Sequence, residues 1–225
     1  MTLEQFFAEN REVAVAFSGG VDSAYLLYAA KRYAARVKAY YVSTAFQPEF
    51  ELEDARRLAD ELGADMLVLH VDVLSNSAVT ANPSDRCYHC KNTLFRQILR
   101  AAENDGFPVL LDGTNASDDA GDRPGMRALR ELSVRSPLRE CGLTKAEIRR
   151  LSKEAGLFTW DKPAYACLAT RIRTGEDAQQ YLLDYDRTMN QRFDGKTTAL
   201  NQKGVLVGIA PTDLEYETNT DGTIV

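Results

Sequence analysis

The chain lacks any apolar run approaching the ~20 residues that a bilayer-spanning helix needs. Its first residues, Met1 to Asn10, are acidic and amphipathic where a secretory leader would be basic and then apolar. A cytoplasmic protein without a membrane partner is therefore expected. Positive charge is in deficit as well: 27 Lys and Arg against 33 Asp and Glu leave a net charge of −6. That sign argues against a general affinity for nucleic acid, although a local basic groove is compatible with it. No internal repeat or low-complexity tract is present. Cysteine is scarce, four residues in all, and in a cytosolic chain of this size thiols point to metal or catalysis before disulfides. What remains is a globular composition, 44% hydrophobic and 27% charged, in 225 residues that can form one substantial core with a small appendage.

Strand and helix signals alternate along that length. Thr2 to Asn10 predicts a short amphipathic helix, Val13 to Phe17 a strand and Asp22 to Ala35 a helix. Val37 to Ser43 suits a second buried strand, and Pro48 suits the first turn of a helix ending near Gly63. Met66 to Val71 is a third strand, Asp72 to Arg86 a polar pause, Cys87 to Asn104 a helix and Val109 to Asp112 a fourth strand. After a loop from Asp118 to Pro124, Gly125 to Leu132 forms a short helix, and a capping box of Thr144 and Glu147 opens one that runs to Ala155. Strands separated by helices of this length predict an α/β fold, a doubly wound parallel sheet with helices on both faces. Its binding crevice is expected at the strand C-termini.

The stretch Ala14-Val15-Ala16-Phe17-Ser18-Gly19-Gly20-Val21-Asp22-Ser23 feeds an apolar strand through two glycines into a helix, so that backbone N–H groups and a helix N-terminus face one point. Such a point suits an anion. The spacing is neither that of the Walker loop, with its Lys before Ser/Thr, nor that of the dinucleotide fingerprint with three spaced glycines. Letter for letter, Ser18 to Ser23 resembles the pyrophosphate loop of the PP-loop ATP pyrophosphatases. The resemblance implies that Ser18, Gly19, Gly20, Val21, Asp22 and Ser23 grip the β,γ-phosphates of ATP while a substrate attacks the α-phosphate. Asp22 is expected to cap the helix and, by the same resemblance, to help bind magnesium. Ser43, at the end of the second strand, is placed by analogy with the fold to touch adenine or ribose, a plain strand-end hydroxyl being the alternative.

Three further clusters fall at strand ends or in adjoining loops. They are Asn82-Pro83-Ser84-Asp85-Arg86-Cys87-Tyr88-His89-Cys90-Lys91; Asp112-Gly113-Thr114-Asn115-Ala116 with Asp122-Arg123-Pro124-Gly125 and Val134-Arg135-Ser136-Pro137-Leu138; and Thr159-Trp160-Asp161-Lys162-Pro163-Ala164-Tyr165-Ala166-Cys167-Leu168-Ala169-Thr170-Arg171-Ile172. Cys87 and Cys90 form a Cys-x-x-Cys pair at a helix start, where two thiolates can reach one metal and the helix dipole favours the ionised form. Two ligands alone do not make a site; if Cys167 joins them, three thiolates converge with a fourth position open, an arrangement suited to a four-iron cluster. A structural zinc site is the alternative for the pair, and Cys141 reads as an unligated buried thiol. His89, between two cysteines on a helix, points away from both. Asp122 and Arg123 suit magnesium and phosphate, or one another as a solvated ion pair. Arg86, Lys91, Arg171 and Arg173 form a cationic set that fits a substrate carrying phosphate and carboxylates.

In this combination and order, from Phe17 to about Gly175, the chain resembles the LarE-type ATP-dependent sulfur transferases, which act on the pyridinium dicarboxylate precursor of the nickel-pincer nucleotide. The resemblance implies ATP and magnesium as cofactors, adenylation of a substrate carboxylate, and sulfur delivered at Cys167. Some members give up the counterpart's own sulfur and leave dehydroalanine; others carry three cysteines and a [4Fe-4S] cluster, here Cys87, Cys90 and Cys167. It also implies a small-molecule nucleotide substrate held by Arg86, Arg171 and Arg173, a downstream nickel-inserting partner and a homo-oligomer. A tRNA thiolase of the PP-loop class and a non-catalytic nucleotide-binding subunit are the other readings. Past Gly175 the match weakens: residues 1–175 are expected to form the PP-loop domain and 176–225 a small C-terminal subdomain, with a helix from Glu176 to Phe193 and a strand from Lys203 to Ala210.

Overall fold

The computed structural model describes residues 1–118, 123–164 and 167–182. A capping box of Thr2 and Gln5 opens α1 (Leu3–Glu9), which leads into β1 (Glu12–Ala16). Then follow α2 (Val21–Tyr33), β2 (Arg36–Ser43), α3 (Glu49–Glu61), β3 (Met66–His70), α4 (Ser77–Thr80), α5 (Arg86–Asn104) and β4 (Val109–Leu111). After them come α6 (Pro124–Glu131), α7 (Pro137–Glu140) and α8 (Lys145–Glu154). The Thr144–Glu147 capping box is present: Glu147 N–H donates to Thr144 Oγ1 at 3.3 Å and Thr144 N–H to Glu147 Oε2 at 2.9 Å. The stretch read as a polar pause contains α4 and a 3-10 turn at Val73–Ser75, because Asp72 and Asn76 each cap the turn that follows them.

All four strands are parallel, in the order β3-β2-β1-β4. Val15 sits opposite Ala39 on one side and Leu111 on the other. Side chains alternate across the sheet as period two requires. Val13, Val15, Ala39, Tyr41 and Leu111 pack with α1, α2, α3 and α8 on one face. Ala14, Tyr40, Val42 and Leu110 pack with Ile98 and Ala102 of α5 on the other. Both faces being buried, the strands carry apolar residues at nearly every position. The chain moves outward from β1 to β3 and then returns across α5 to β4, so the order reverses between β1 and β4. In a sheet of this kind that switch, at the strand C-termini, is where a ligand crevice opens.

A third cluster lies beside these: Ala45, Phe46, Val73 and Val79 pack with Leu168, Ala169, Ile172, Ala178 and Leu182. Residues 178–182 are helical, as expected at the start of Glu176–Phe193. The rest of that helix, the strand Lys203–Ala210 and Asp122 lie outside the described residues.

Candidate active site

The loop after β1 is held by its own side chains. Ser18 N–H donates to Ser23 Oγ at 3.2 Å, and Ser23 Oγ–H donates back to the Gly20 carbonyl at 3.1 Å. The first intrahelical bond of α2 runs from Ala24 N–H to Gly20 O at 2.9 Å, so the amides of Val21, Asp22 and Ser23 precede it and carry no intrahelical partner. Gly19 has φ +72°, and a Cβ there would lie 3.1 Å from Ala55 Cβ on α3. A side chain is thus excluded by both conformation and space. Across the crevice, Gly113 lets the chain after β4 approach α2: a Cβ on it would stand 3.0 Å from Ser23 N.

Gly20, not Asp22, is the N-cap of α2, and it offers no side-chain cap. This corrects the expectation for Asp22, which sits in the first turn, where the dipole favours its charge. Asp22 Oδ2 accepts from Lys145 Nζ at 2.6 Å, while Oδ1 is buried and unpartnered. Lys145 opens α8, and its N–H donates to Ser117 Oγ at 3.0 Å, tying α8 to the loop after β4. Asp112, 6% exposed at the end of β4, accepts from the hydroxyls of Thr114 and Ser136.

Between these elements lies a cavity of about 340 Å³. Ser18, Gly20, Asp22 and Ser23 form its phosphate-loop side, and Asp112, Gly113, Thr114 and Asp118 the opposite rim. Tyr40, Val42, Phe95 and Ile98 supply an apolar floor, and Lys91 and Leu94 continue the α5 wall. The arrangement suits a polyphosphate at one end and a flat apolar ring at the other. At the end of β2 the lining is Val42 and, beyond the strand, Gln47, whose Oε1 accepts from Thr44 N–H at 3.0 Å; Ser43 is half-buried, with its carbonyl bonded to Val71 N–H at 3.0 Å.

Immediately before Lys91, the first turn of α5 carries the Cys-x-x-Cys pair. Cys87 is exposed and Cys90 half-buried. Burial, with the Cys167 and Cys87 thiols close enough to add to it, pushes the Cys90 thiol up to about 12. Cys167 belongs to a surface segment, yet the protein around its sulfur raises its thiol as well. Desolvation is the main cause, the Cys87 thiol and Glu51 add to it, and Arg86 opposes it. The three thiols therefore lie within electrostatic reach of one another. Among the described residues, no three His, Cys, Asp or Glu side chains are gathered as a ready metal site. The donor set is of the kind that binds iron–sulfur clusters or zinc.

What brings Cys167 to α5 is Asn82, 2% exposed and at φ +47°. Its Nδ2 donates to Arg173 O at 2.7 Å, its carbonyl accepts from Gly175 N–H at 2.9 Å, and its Oδ1 accepts from Arg86. Arg86 in turn donates to Ala169 O at 2.7 Å and lies 3.9 Å from Cys87 Sγ. Its guanidinium is thus engaged in joining α5 to the Cys167 segment while facing the thiols. Arg171 and Arg173 are exposed on that segment, and Arg123, also exposed, is the N-cap of α6. His89 pairs with Asp85 at 3.4 Å, away from the cysteines as helix geometry predicts. Cys141, half-buried, packs against the main core.

Three residues with a place in this site carry no local signal in the sequence. Lys145 and Asp22 are 123 residues apart, Asn82 reads only as a turn residue before Pro83, and Glu51 looks like one acid among several on α3. Glu51 is half-buried beside the Lys162–Asp54 pair, which closes at 2.6 Å. Burial raises its carboxyl above the ordinary range, and Lys162 partly offsets the rise.

Known proteins share this framework. A protein of Synechocystis sp. described only as uncharacterised is 38% identical over 177 residues, 78% of this chain and 66% of its own length. The pyridinium-3,5-bisthiocarboxylic acid mononucleotide synthase of Lactiplantibacillus plantarum is 33% identical over 176 residues, 77% of this chain and 64% of its own. The chain thus spans just under two thirds of the length of these relatives. The solved structure of the NH3-dependent NAD synthetase from Campylobacter jejuni superposes with a TM-score of 0.54 at 17% identity, covering 84% of this chain and 82% of that one, which is a likeness of fold. The asparagine synthase family matches residues 4–120, from α1 through the phosphate loop to the rim after β4. With over half of its length so matched and the Ser18–Ser23 loop in place at the sheet's switch point, the chain belongs to the asparagine synthase family and shares the PP-loop nucleotide domain of the LarE-type proteins.

Proposed function

We propose that the chain is an ATP-dependent sulfur transferase that adenylates a carboxylate of a pyridinium dicarboxylate mononucleotide and converts it to a thiocarboxylate. One observation carries the reading: α5 is a wall of the nucleotide cavity through Lys91, Leu94, Phe95 and Ile98, and its first turn, just ahead of Lys91, bears Cys87 and Cys90 with Cys167 alongside. An anion-binding loop and a set of thiols thereby share one helix. The Lactiplantibacillus plantarum relative, a pyridinium-3,5-bisthiocarboxylic acid mononucleotide synthase, supports the same chemistry.

In this reading the amides and hydroxyls of Ser18–Ser23 hold the β,γ-phosphates, and the free Asp22 oxygen is the candidate ligand for magnesium. A carboxylate oxygen of the substrate attacks the α-phosphorus, the bond to the pyrophosphate oxygen breaks, and an acyl-adenylate forms. Sulfur then attacks the acyl carbon and AMP leaves. If Cys167 is itself the donor, its Cβ–S bond breaks with loss of the Cα proton, leaving dehydroalanine and the thiocarboxylate. If a cluster is present, Cys87, Cys90 and Cys167 are its ligands, and it supplies a sulfide on an iron left open by the three-thiolate set.

Pyrophosphate release by protein purified without oxygen tests the reading. Stimulation by the pyridinium dicarboxylate mononucleotide is expected; stimulation by tRNA instead, or ATP binding without turnover, overturns it. Single replacements then identify the sulfur source. With a cluster, Cys87→Ala, Cys90→Ala and Cys167→Ala lose iron and activity together. With a sacrificial cysteine, the first two retain a single turnover and the reacted chain is lighter by one hydrogen sulfide in intact mass.

A further inference from the structure

Lys91 occupies the junction between the nucleotide cavity and the thiols. It lines the cavity on the same face of α5 as Leu94, Phe95 and Ile98, and it directly follows Cys90, whose thiol feels its charge. Carboxylates line this cavity too, each with a partner other than Lys91: Asp22 bonds Lys145 through one oxygen, Asp112 bonds Thr114 and Ser136, and Asp118 the Asn115 N–H at 2.8 Å. Among the described residues, no hydrogen bond or ion pair takes up the Lys91 ammonium. The fold nevertheless keeps room for the side chain. Gly125 is buried in the first turn of α6, and a Cβ there would come within 3.2 Å of Lys91 Cδ and 3.3 Å of Cε. Glycine is a poor helix residue, so a helical glycine packed against a lysine stem marks a side chain whose course is fixed.

We infer that Lys91 binds the reacting centre: its ammonium pairs with the anionic oxygens that the substrate carboxylate and the nucleotide α-phosphate bring together. The inference rests on the adenylation reading above and assigns to this chain the cation of that step. Two anions must meet for the carboxylate oxygen to bond to the α-phosphorus, and a fixed ammonium on the cavity wall lessens their repulsion as pyrophosphate departs. The place of Lys91 beside Cys90 then holds the acyl-adenylate within reach of the sulfur.

The full-length protein carrying Lys91→Ala or Lys91→Met tests this, the methionine keeping the stem that packs on Gly125. Both variants are expected to release pyrophosphate on the order of 100-fold more slowly at saturating ATP and substrate. Their affinity for the non-cleaved α,β-methylene analogue of ATP should stay within about threefold of wild type, since uniform binding is not what the contact supplies. Methylammonium should restore turnover in Lys91→Ala by about tenfold and have no effect on Lys91→Met, where the stem fills the space. Turnover within threefold of wild type, an equal loss in analogue binding, or no rescue by the amine would each overturn the role of Lys91. A wild-type protein that releases no pyrophosphate with a carboxylate substrate would overturn the underlying reading itself, and the two failures are thereby told apart.

Discussion

Replacing each glycine of the phosphate loop in turn separates what the fold needs from what the ligand needs. Gly19 stands at φ +72°, where an L-residue costs about 1–2 kcal/mol. Its new methyl would also meet Ala55 Cβ at 3.1 Å and Ala55 N at 3.3 Å, on a helix whose Ala55 is fully buried and has nowhere to retreat. Together these put Gly19→Ala at about 2–3 kcal/mol of destabilisation. At ~2–4 °C per kcal/mol for a chain of this size, the midpoint should fall by about 5–10 °C. Gly20 has φ −80°, and a Cβ there meets only Ser18 Oγ at 3.5 Å. Gly20→Ala should leave the midpoint within about 0.5 kcal/mol of wild type, because a slightly poorer cap is offset by a less flexible unfolded chain. Its methyl nonetheless projects where phosphate must approach the backbone, so pyrophosphate release should be lost. Differential scanning calorimetry paired with a pyrophosphate assay reads both. A Gly19→Ala protein as stable as wild type would refute the left-handed turn, and a fully active Gly20→Ala protein would refute phosphate binding at the loop.

Two further outcomes follow from charged groups near the site. Burial raises the Glu51 carboxyl, so folding favours its protonated form: the stabilising contribution is complete below the unfolded pKa of ~4.3 and is lost as pH rises through the folded value. Glu51→Gln should therefore raise the melting temperature at pH 7–8 and leave it unchanged below about pH 4, and a stabilisation equal at both ends would rule out this origin. The Lys145–Asp22 pair, at 2.6 Å with side chains 36% and 23% exposed, should show a coupling of about 1 kcal/mol in a double-mutant cycle of Lys145→Met and Asp22→Asn by urea denaturation; coupling near zero would mean that α8 is tied to the loop by Ser117 alone.

The sheet and its helices were legible because their signals are local: continuous apolar runs in Val13–Val15 and Ala39–Val42, a capping box at Thr144, glycines in a turn. The phosphate loop was legible for the same reason, six consecutive residues sufficing to bend the chain and aim its amides. Asp22 shows where this ends. As a cap it is a local guess, whereas its bond to Lys145 depends on α8 packing against α2, a contact between residues 123 positions apart. The helices α4 and α7, four residues each, begin at caps too short to leave a period. Arg86 reads in the sequence as one of a cationic set for the substrate; the carbonyl of Ala169 that engages it comes from 83 residues away, and the Asn82 side chain joins it there. Composition and spacing name the thiols, but only packing tells that Cys90 is half-buried and Cys87 exposed.

Asn82 and the small apolar cluster around Leu168, Ala169 and Ile172 have a consequence for how the molecule opens. The segment that carries Cys167 shares none of its buried residues with the two clusters on the sheet and is fastened to the start of α5 and the turn before it through Arg86 and Asn82. Such a unit can detach as a cooperative piece at a fraction of the global unfolding free energy, while the sheet beneath stays intact. In native-state hydrogen exchange the amides of Leu168 and Gly175, bonded to Phe46 and Asn82, should exchange early and together, ahead of those in β1. Sulfur chemistry and nucleotide binding would then sit on different rungs of the stability ladder, and mild denaturant would silence the first while sparing the second.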